Sequence, residues 1–231
     1  ALVAGHWLGE YSALTAAGAF DIATAAKLLR LRGEAMQKAT PPGTGAMAAL
    51  LGAEIDLAQE ICAAAATNPE TGKKEVVEAA NDNGGGQVVI SGAKAAVERA
   101  IEIAKEKGVK RAMLLPVSAP FHCALMAPAA DAMAEALGKA SMKAPVVPVV
   151  ANVTAAKATD PAEIRDLLVR QVTGTVRWRE CVAAMAAMGC DKFVEVGSGK
   201  VLTGLMKRNA PDATASAIGT PADIEAFLAS V

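Results

Sequence analysis

Gly5 and Gly9 stand four residues apart in AGHWLGEYSAL (4–14), between an apolar run and a helix of small residues. A turn with this spacing delivers a nucleophile from the end of a strand to the mouth of an α/β sheet. The residue at its tip is Trp7, whose indole offers one N–H donor and no lone pair for attack. As written, the turn presents no nucleophile. An ordinary strand-turn-helix with glycines for close packing has the same spacing, and spacing alone leaves both open.

The sequence holds two histidines, so imidazole chemistry uses His6 or His122. His6 adjoins Trp7, and neighbouring side chains usually point apart, so it reads as structural. His122 follows SAP and opens an expected helix, where the positive end of the dipole disfavours the imidazolium and keeps the ring available as a base. A polar residue capping that helix is the plain alternative. Arg32 falls in the middle of an apolar helical face made by Leu28, Leu29, Ala35 and Met36. Arg30 lies on the other side, free to pair with Glu34 at i+4. A buried guanidinium needs an anion, because an unpaired buried charge costs several kcal/mol. That anion is either an internal carboxylate or a substrate carboxylate held bidentately.

Other residues carry less. Phe121 reads as core, and Asn81, Asn83 and Asn152 sit at strand ends, where they either line the cleft or, as asparagines in loops more often do, form turns. GSGKVLTG (197–204) invites a phosphate loop but lacks its first glycine and has Val201 where the hydroxyl belongs. Cys123 beside His122 diverges from it by about 100° on a helix. No His, Cys or carboxylate cluster has metal-ligand spacing, so neither metal nor cofactor is expected.

Periodicity gives the elements that position these residues. Residues 1–4 end a buried strand, 8–17 form a helix stopped by Gly18, and Asp21 caps a helix to about Ala39, ended by TPPG. GAMAALL (45–51), a helix over 54–66, EVVEAA (75–80), QVVISG (87–92), a helix over 93–107 and RAMLLPVS (111–118) give the βαββαβ order of a ferredoxin-like unit. Beyond it come a helix over 123–138, the strand VPVVANV (147–153), helices near 161–172 and 179–188, and the strand KFVEVG (192–197). A helix over 200–208, the strand ATASAIG and a helix over 221–229 close the order. The expected class is α/β: a large α/β-hydrolase-like domain with a parallel sheet (1–43 and 118–231), carrying an inserted ferredoxin-like subdomain (44–117). A cleft between them is the natural place for a substrate.

Composition sets the outer limits. The chain is 53% hydrophobic with a net charge of −1, which argues against nucleic acid. The sequence shows no apolar run of some 18 residues and no charged-then-apolar leader pattern, so neither a membrane span nor a secretory signal is expected. Cys62, Cys123, Cys181 and Cys190 lack C-x-x-C spacing, so reduced thiols in a cytoplasm are expected. The sequence opens at Ala1 inside a strand pattern without an initiator methionine, so residues ahead of it are expected.

AGHWLGEYSAL, LRLRGEAMQ, GTGAMAALLG, GQVVISG, LPVSAPFHCALM, PVVANV, VRQVTGTVRW and EVGSGKVLTGLMKR together resemble the malonyl-CoA:acyl carrier protein transacylases of bacterial fatty acid synthesis. The resemblance runs from the first residue to the last helix. That family's motif is G-H-S-x-G, with serine where this chain has Trp7. Its amino-terminal G-Q-G-S-Q segment, with a glutamine by the oxyanion hole, has no counterpart here. The resemblance implies that position 7 is the nucleophile position, that the Leu8 N–H supplies half an oxyanion hole, and that His122 is the base. It implies too that the backbone carbonyl of Gln171 orients His122, making a dyad rather than a triad. Arg32, twenty-five positions after Trp7, matches the arginine that binds the malonyl carboxylate. Phe121 matches an aromatic that goes with malonyl and against branched extenders.

The implied partners are malonyl-CoA and an acidic acyl carrier protein, with Arg177, Arg179, Lys207 and Arg208 as docking candidates. Solvated surface charge is the equal alternative for those four. A monomer is expected. With Trp7 at the tip, no acyl-enzyme forms, and the ring is expected to fill the acyl pocket. Two other functions remain open: a non-catalytic binder of carrier protein or coenzyme A, and a thioesterase-like hydrolase, in which Arg32 has no role.

Overall fold

The computed structural model describes residues 1–229. The chain divides into two compact units, Ala1–Cys181 and Val182–Val231.

The first unit opens with β1 (Val3–Ala4), α1 (Gly9–Ala16) and α2 (Ile22–Lys38). Asp21 caps α2 by accepting the Thr24 N–H at 2.6 Å, which satisfies a donor left open at a helix start. Next come β2 (Gly45–Leu51), α3 (Ile55–Ala65), β3 (Val77–Asp82), β4 (Gln87–Ala93), α4 (Lys94–Glu106) and β5 (Arg111–Leu114). These four strands form one antiparallel sheet in the order β3-β4-β2-β5. Crossovers through α3 and α4 place β4 between β2 and β3, which is the split βαβ arrangement. Ala58, Ile61, Cys62 and Ala65 of α3 and Val97, Ile101 and Ala104 of α4 share a core with Leu50, Val88 and Ile90 of the sheet. β5 is shorter than the expected 111–118 because Pro116 has no N–H for a ladder.

The rest of the first unit is α5 (Ala127–Lys139), β6 (Val149–Val150), β7 (Lys157–Ala158), α6 (Pro161–Thr173) and the start of α7 (Trp178–Ala187). β1 pairs with β6 in parallel, and β6 with β7 antiparallel. Tyr11 and Leu14 of α1, Leu28 and Met36 of α2, Met133 and Leu137 of α5 and Ile164 and Leu168 of α6 make its core. The strand expected over 147–153 is two residues long. Asn152 leaves the ladder because its N–H donates to the Glu10 carboxylate instead. β7 has no counterpart in the sequence pattern; two residues cannot show a period.

In the second unit β8 (Lys192–Val196) pairs in parallel with β9 (Thr214–Ile218) through α8 (Val201–Asn209), and α9 (Pro221–Leu228) follows. Thr220 and Asp223 form a capping box at the start of α9. Among the described residues no helix is long and apolar enough to cross a membrane.

Candidate active site

β1 ends at Ala4 and α1 begins at Gly9, so residues 5–8 make the bend. Gly5 is required there: a Cβ on it would overlap the backbone of Gly9, whereas a Cβ on Gly9 would meet nothing. Close packing therefore explains the first glycine and not the second. Trp7 sits at the tip with φ of 58°, a left-handed conformation that costs a bulky residue on the order of 1–3 kcal/mol and persists only when its surroundings impose it.

Those surroundings are three hydrogen bonds. Asn152 Oδ1 accepts the Trp7 N–H at 3.0 Å, and Asn152 Nδ2 donates to the Gly5 carbonyl at 2.7 Å. Gln171 Nε2 donates to the Trp7 carbonyl at 2.9 Å. The indole packs with Leu115, Val117 and Phe121 against Met47, Ala80 and Val89 of the four-stranded sheet. Its Nε1 is buried with no acceptor among the described residues, a loss of about 1–3 kcal/mol. Leu8 precedes α1, and among the described residues its N–H makes no hydrogen bond to the backbone.

His122 is buried, with its ring centre 5.0 Å from that of Trp7. Its Nδ1 lies 2.8 Å from the Gln171 carbonyl oxygen. A carbonyl only accepts, so Nδ1 carries the proton and Nε2 the lone pair. The expected helix start at His122 is absent. A short 3₁₀ turn spans Ala124–Met126, α5 begins at Ala127, and His122 itself has φ of 56°. No helix dipole acts on it from its own position. Burial instead pushes its pKa down to about 3, helped by the charge of Arg32 and opposed by the Gln171 carbonyl.

His6 does not turn away from its neighbour. Its ring stacks on Trp7 at 5.7 Å and meets the edge of Trp178 at 5.3 Å. Nε2 lies 3.0 Å from Asn83 Oδ1 and 3.2 Å from Asn81 Nδ2, so these asparagines tie the bend to the end of β3 rather than forming simple turns.

Arg32 lies on the inner face of α2, 7% exposed. Its Nη2 donates to Gln171 Oε1 at 3.1 Å, and its Nε is buried with no acceptor among the described residues. Among the described residues no carboxylate comes within ion-pair distance of it; Glu10 acts on it only through its field. Arg30, by contrast, pairs with Glu34 at 2.9 Å. Phe121 is half-buried beside Trp7. The Cys123 thiol donates to the Pro120 carbonyl, and burial pushes its pKa up, which leaves it a poor nucleophile.

Arg177 is held by both carboxylate oxygens of Glu180, and Arg179 pairs with Asp82 at 2.8 Å. These two of the four docking candidates are already partnered. In the second unit Glu195 accepts the N–H groups of Leu202 and Thr203. A carboxylate thus occupies the helix start where a phosphate would have to lie. Among the described residues no three His, Cys, Asp or Glu side chains gather to hold a metal ion.

Two residues of this network were not singled out in the sequence for it. Asn152 holds the bend from both sides. Glu10, 1% exposed, accepts the Gln171 Nε2–H at 2.6 Å and the Asn152 N–H at 3.2 Å. The signal that marked Arg32 was available for Glu10: Ala13, Leu14 and Ala17, at i+3, i+4 and i+7, make its helical face a buried one.

Burial raises the Glu10 pKa to about 7, against the hydrogen bonds from Gln171 and Asn152 and the field of Arg32. A carboxyl whose folded pKa lies above its unfolded value stabilises the fold fully below the unfolded value of 4.5, and loses that contribution as pH rises through about 7. Relative to a Glu10→Gln variant, the chain is expected to lose up to about 1.4 kcal/mol of unfolding free energy per pH unit across that window. Urea unfolding of both proteins at several pH values measures it; a constant difference would show an unshifted carboxyl.

A bent strand-to-helix junction facing a histidine oriented by main chain is the geometry of α/β enzymes that work through an elbow and an imidazole base. The chain belongs to the acyl transferase domain family, whose pattern matches residues 1–221. It is 50% identical over 228 residues to the malonyl CoA-acyl carrier protein transacylase of Salmonella typhimurium, covering 99% of this chain and 72% of that protein. The crystal structure of the acyl-carrier-protein S-malonyltransferase of Bartonella henselae superposes with a TM-score of 0.93 at 53% identity, covering 99% of this chain and 71% of that one. A malonyl-transacylase solved in complex with its type II PKS acyl-carrier protein superposes with a TM-score of 0.94 at 43% identity, covering all of this chain and 72% of that one.

Proposed function

We propose that the chain is the scaffold of a malonyl-CoA:acyl carrier protein transacylase, held without turnover by Trp7. One observation carries this: Gln171 touches the bend, the base and the cation at once, through Trp7 O, His122 Nδ1 and Arg32 Nη2. With serine at position 7, His122 Nε2 takes the hydroxyl proton as Oγ attacks the thioester carbonyl. The C–S bond breaks, the proton passes to the departing thiolate, and coenzyme A leaves as the thiol. The carrier's phosphopantetheine thiol then runs the sequence in reverse. The open Leu8 N–H faces the carbonyl oxygen as negative charge gathers there, Arg32 takes the malonyl carboxylate, and Phe121 walls the space beside its methylene.

The relatives' names and the carrier complex support malonyl-CoA and acyl carrier protein as partners, and a cytoplasmic location goes with this reading. Division into a large domain and an inserted unit over 44–117 is part of the same proposal: the four-stranded sheet has its own core. Lys207 and Arg208, exposed in the last turn of α8, remain candidate carrier contacts.

A second function is favoured by Trp7 itself: an indole packed over the base suits a protein that binds carrier or coenzyme A without acylation. The Trp7→Ser chain separates the two. Intact mass after mixing with malonyl-CoA is expected to show a malonyl adduct that passes to carrier protein. Hydrolysis without transfer points to a thioesterase; no adduct, with tight carrier binding by the unaltered chain, points to the binder.

A further inference from the structure

Gln171 is central to the site, yet nothing in its own covalent structure decides which way its amide points. An amide flip exchanges Nε2 and Oε1 at almost no steric cost, so the surroundings must choose. Around Nε2 stand three oxygens: the Trp7 carbonyl at 2.9 Å, Glu10 Oε2 at 2.6 Å and Asn152 Oδ1 at 3.5 Å. The Asn152 oxygen is itself identified by the Trp7 N–H it accepts. Opposite them, Oε1 receives Arg32 Nη2. A flipped amide would set an oxygen against three oxygens and an NH₂ against a guanidinium.

The shortest of the three contacts is to Glu10, a carboxylate on the buried face of α1 that neither the dyad nor the anion site employs. We propose that Glu10 is a positioning residue: with the Trp7 carbonyl it takes both N–H groups of the Gln171 amide, fixes Oε1 towards Arg32, and so aims the guanidinium at the carboxylate of the acyl group. The same amide hangs from the residue whose main-chain carbonyl orients His122, so one carboxylate sets the cation while the backbone sets the base. Asn152 alone cannot substitute, because its contact is the longest of the three and its oxygen already serves the bend.

The inference rests on the transacylase reading for its consequence, but its geometric half is testable without turnover. In the unaltered chain, labelled with ¹⁵N, the Gln171 side-chain amide is expected to exchange slowly and to shift as Glu10 titrates near neutral pH. The titratable groups whose fields reach Glu10 are Arg32, Tyr11 and Cys181, and His122 lies on the main chain of the same Gln171. Burial holds the Tyr11 hydroxyl well up, Cys181 at about 12 and His122 at about 3, and the guanidinium stays charged, so none of them changes charge there. A fast-exchanging amide, or one indifferent to pH, would overturn the proposal.

In the Trp7→Ser background, Glu10→Leu removes the acceptor and is expected to lower the malonyl-over-acetyl preference in acylation about 10-fold, the scale of a misplaced binding group. Glu10→Gln keeps an acceptor oxygen and is expected to retain the preference within about 3-fold. A merely structural role would slow both acyl groups alike and leave their ratio unchanged, which would sink the proposal. If Trp7→Ser takes up no acyl group, the transacylase reading falls, and the amide measurement alone decides whether Glu10 holds Gln171.

Discussion

In the Trp7→Ser chain, His122→Ala is expected to slow acylation by malonyl-CoA about 10³-fold, while binding of malonyl-CoA changes little. A positioned general base contributes on the order of 10²–10⁴-fold. This site sits high in that range because the other imidazole, His6, has its Nε2 tied to Asn81 and Asn83. The Gln171 carbonyl fixes the tautomer with the lone pair on Nε2, so a replacement at Gln171 cannot mimic the loss without moving main chain. Burial and the Arg32 charge hold the imidazole neutral, so the base stays in its working form throughout the neutral range. On the proposed reading, a malonyl carboxylate paired with Arg32 would cancel one of those two influences and strengthen the base when the correct acyl group is in place. The measurement is the single-turnover rate of adduct formation followed by intact mass. A rate within about 10-fold of the parent would remove His122 from the role of base.

What the sequence made legible, and what it concealed, divides along physical lines. Signals that depend on a few covalent neighbours survived: the Asp21 cap, the βαββαβ order, the Arg30–Glu34 pair and the misfit of Arg32 on an apolar face all follow from local periodicity. The bend at residues 5–8 was legible from one glycine, since only Gly5 is sterically required. Long-range polar chemistry was not legible. Nothing in VPVVANV announces that Asn152 abandons its strand to hold a loop nearly 150 residues earlier, and a two-residue ladder leaves no alternation to detect. The error about His122 has the same origin. A histidine two residues ahead of a 3₁₀ turn looks, in one dimension, like a helix start, and its left-handed backbone is imposed by packing that only the folded chain supplies. Its low pKa was expected from a dipole and comes from burial.

Arg32→Ala in the Trp7→Ser chain is expected to abolish most of the preference for malonyl over acetyl groups, by about 10²–10³-fold in the ratio of acylation rates. The magnitude follows from what is removed. A desolvated, hydrogen-bonded charge pair that loses one partner costs on the order of 2–5 kcal/mol, and only the acyl group bearing a carboxylate suffers it. Among the described residues the guanidinium has one hydrogen bond, to Gln171 Oε1, and a buried Nε with no acceptor, so it is a buried cation with unfilled donors. On the proposed reading a carboxylate of the substrate would fill those donors, whereas an acetyl methyl would leave them open and gain nothing. Arg32→Lys is expected to recover little, because a single ammonium cannot keep Gln171 Oε1 and also bind a carboxylate in a two-point grip. Acetyl transfer is expected to be nearly untouched or slightly improved, since removing the guanidinium also relieves the pull that depresses the basicity of His122. Competition between malonyl-CoA and acetyl-CoA for the same chain, read as the ratio of the two adducts, checks all of these together; an unchanged ratio would mean that the carboxylate is bound elsewhere.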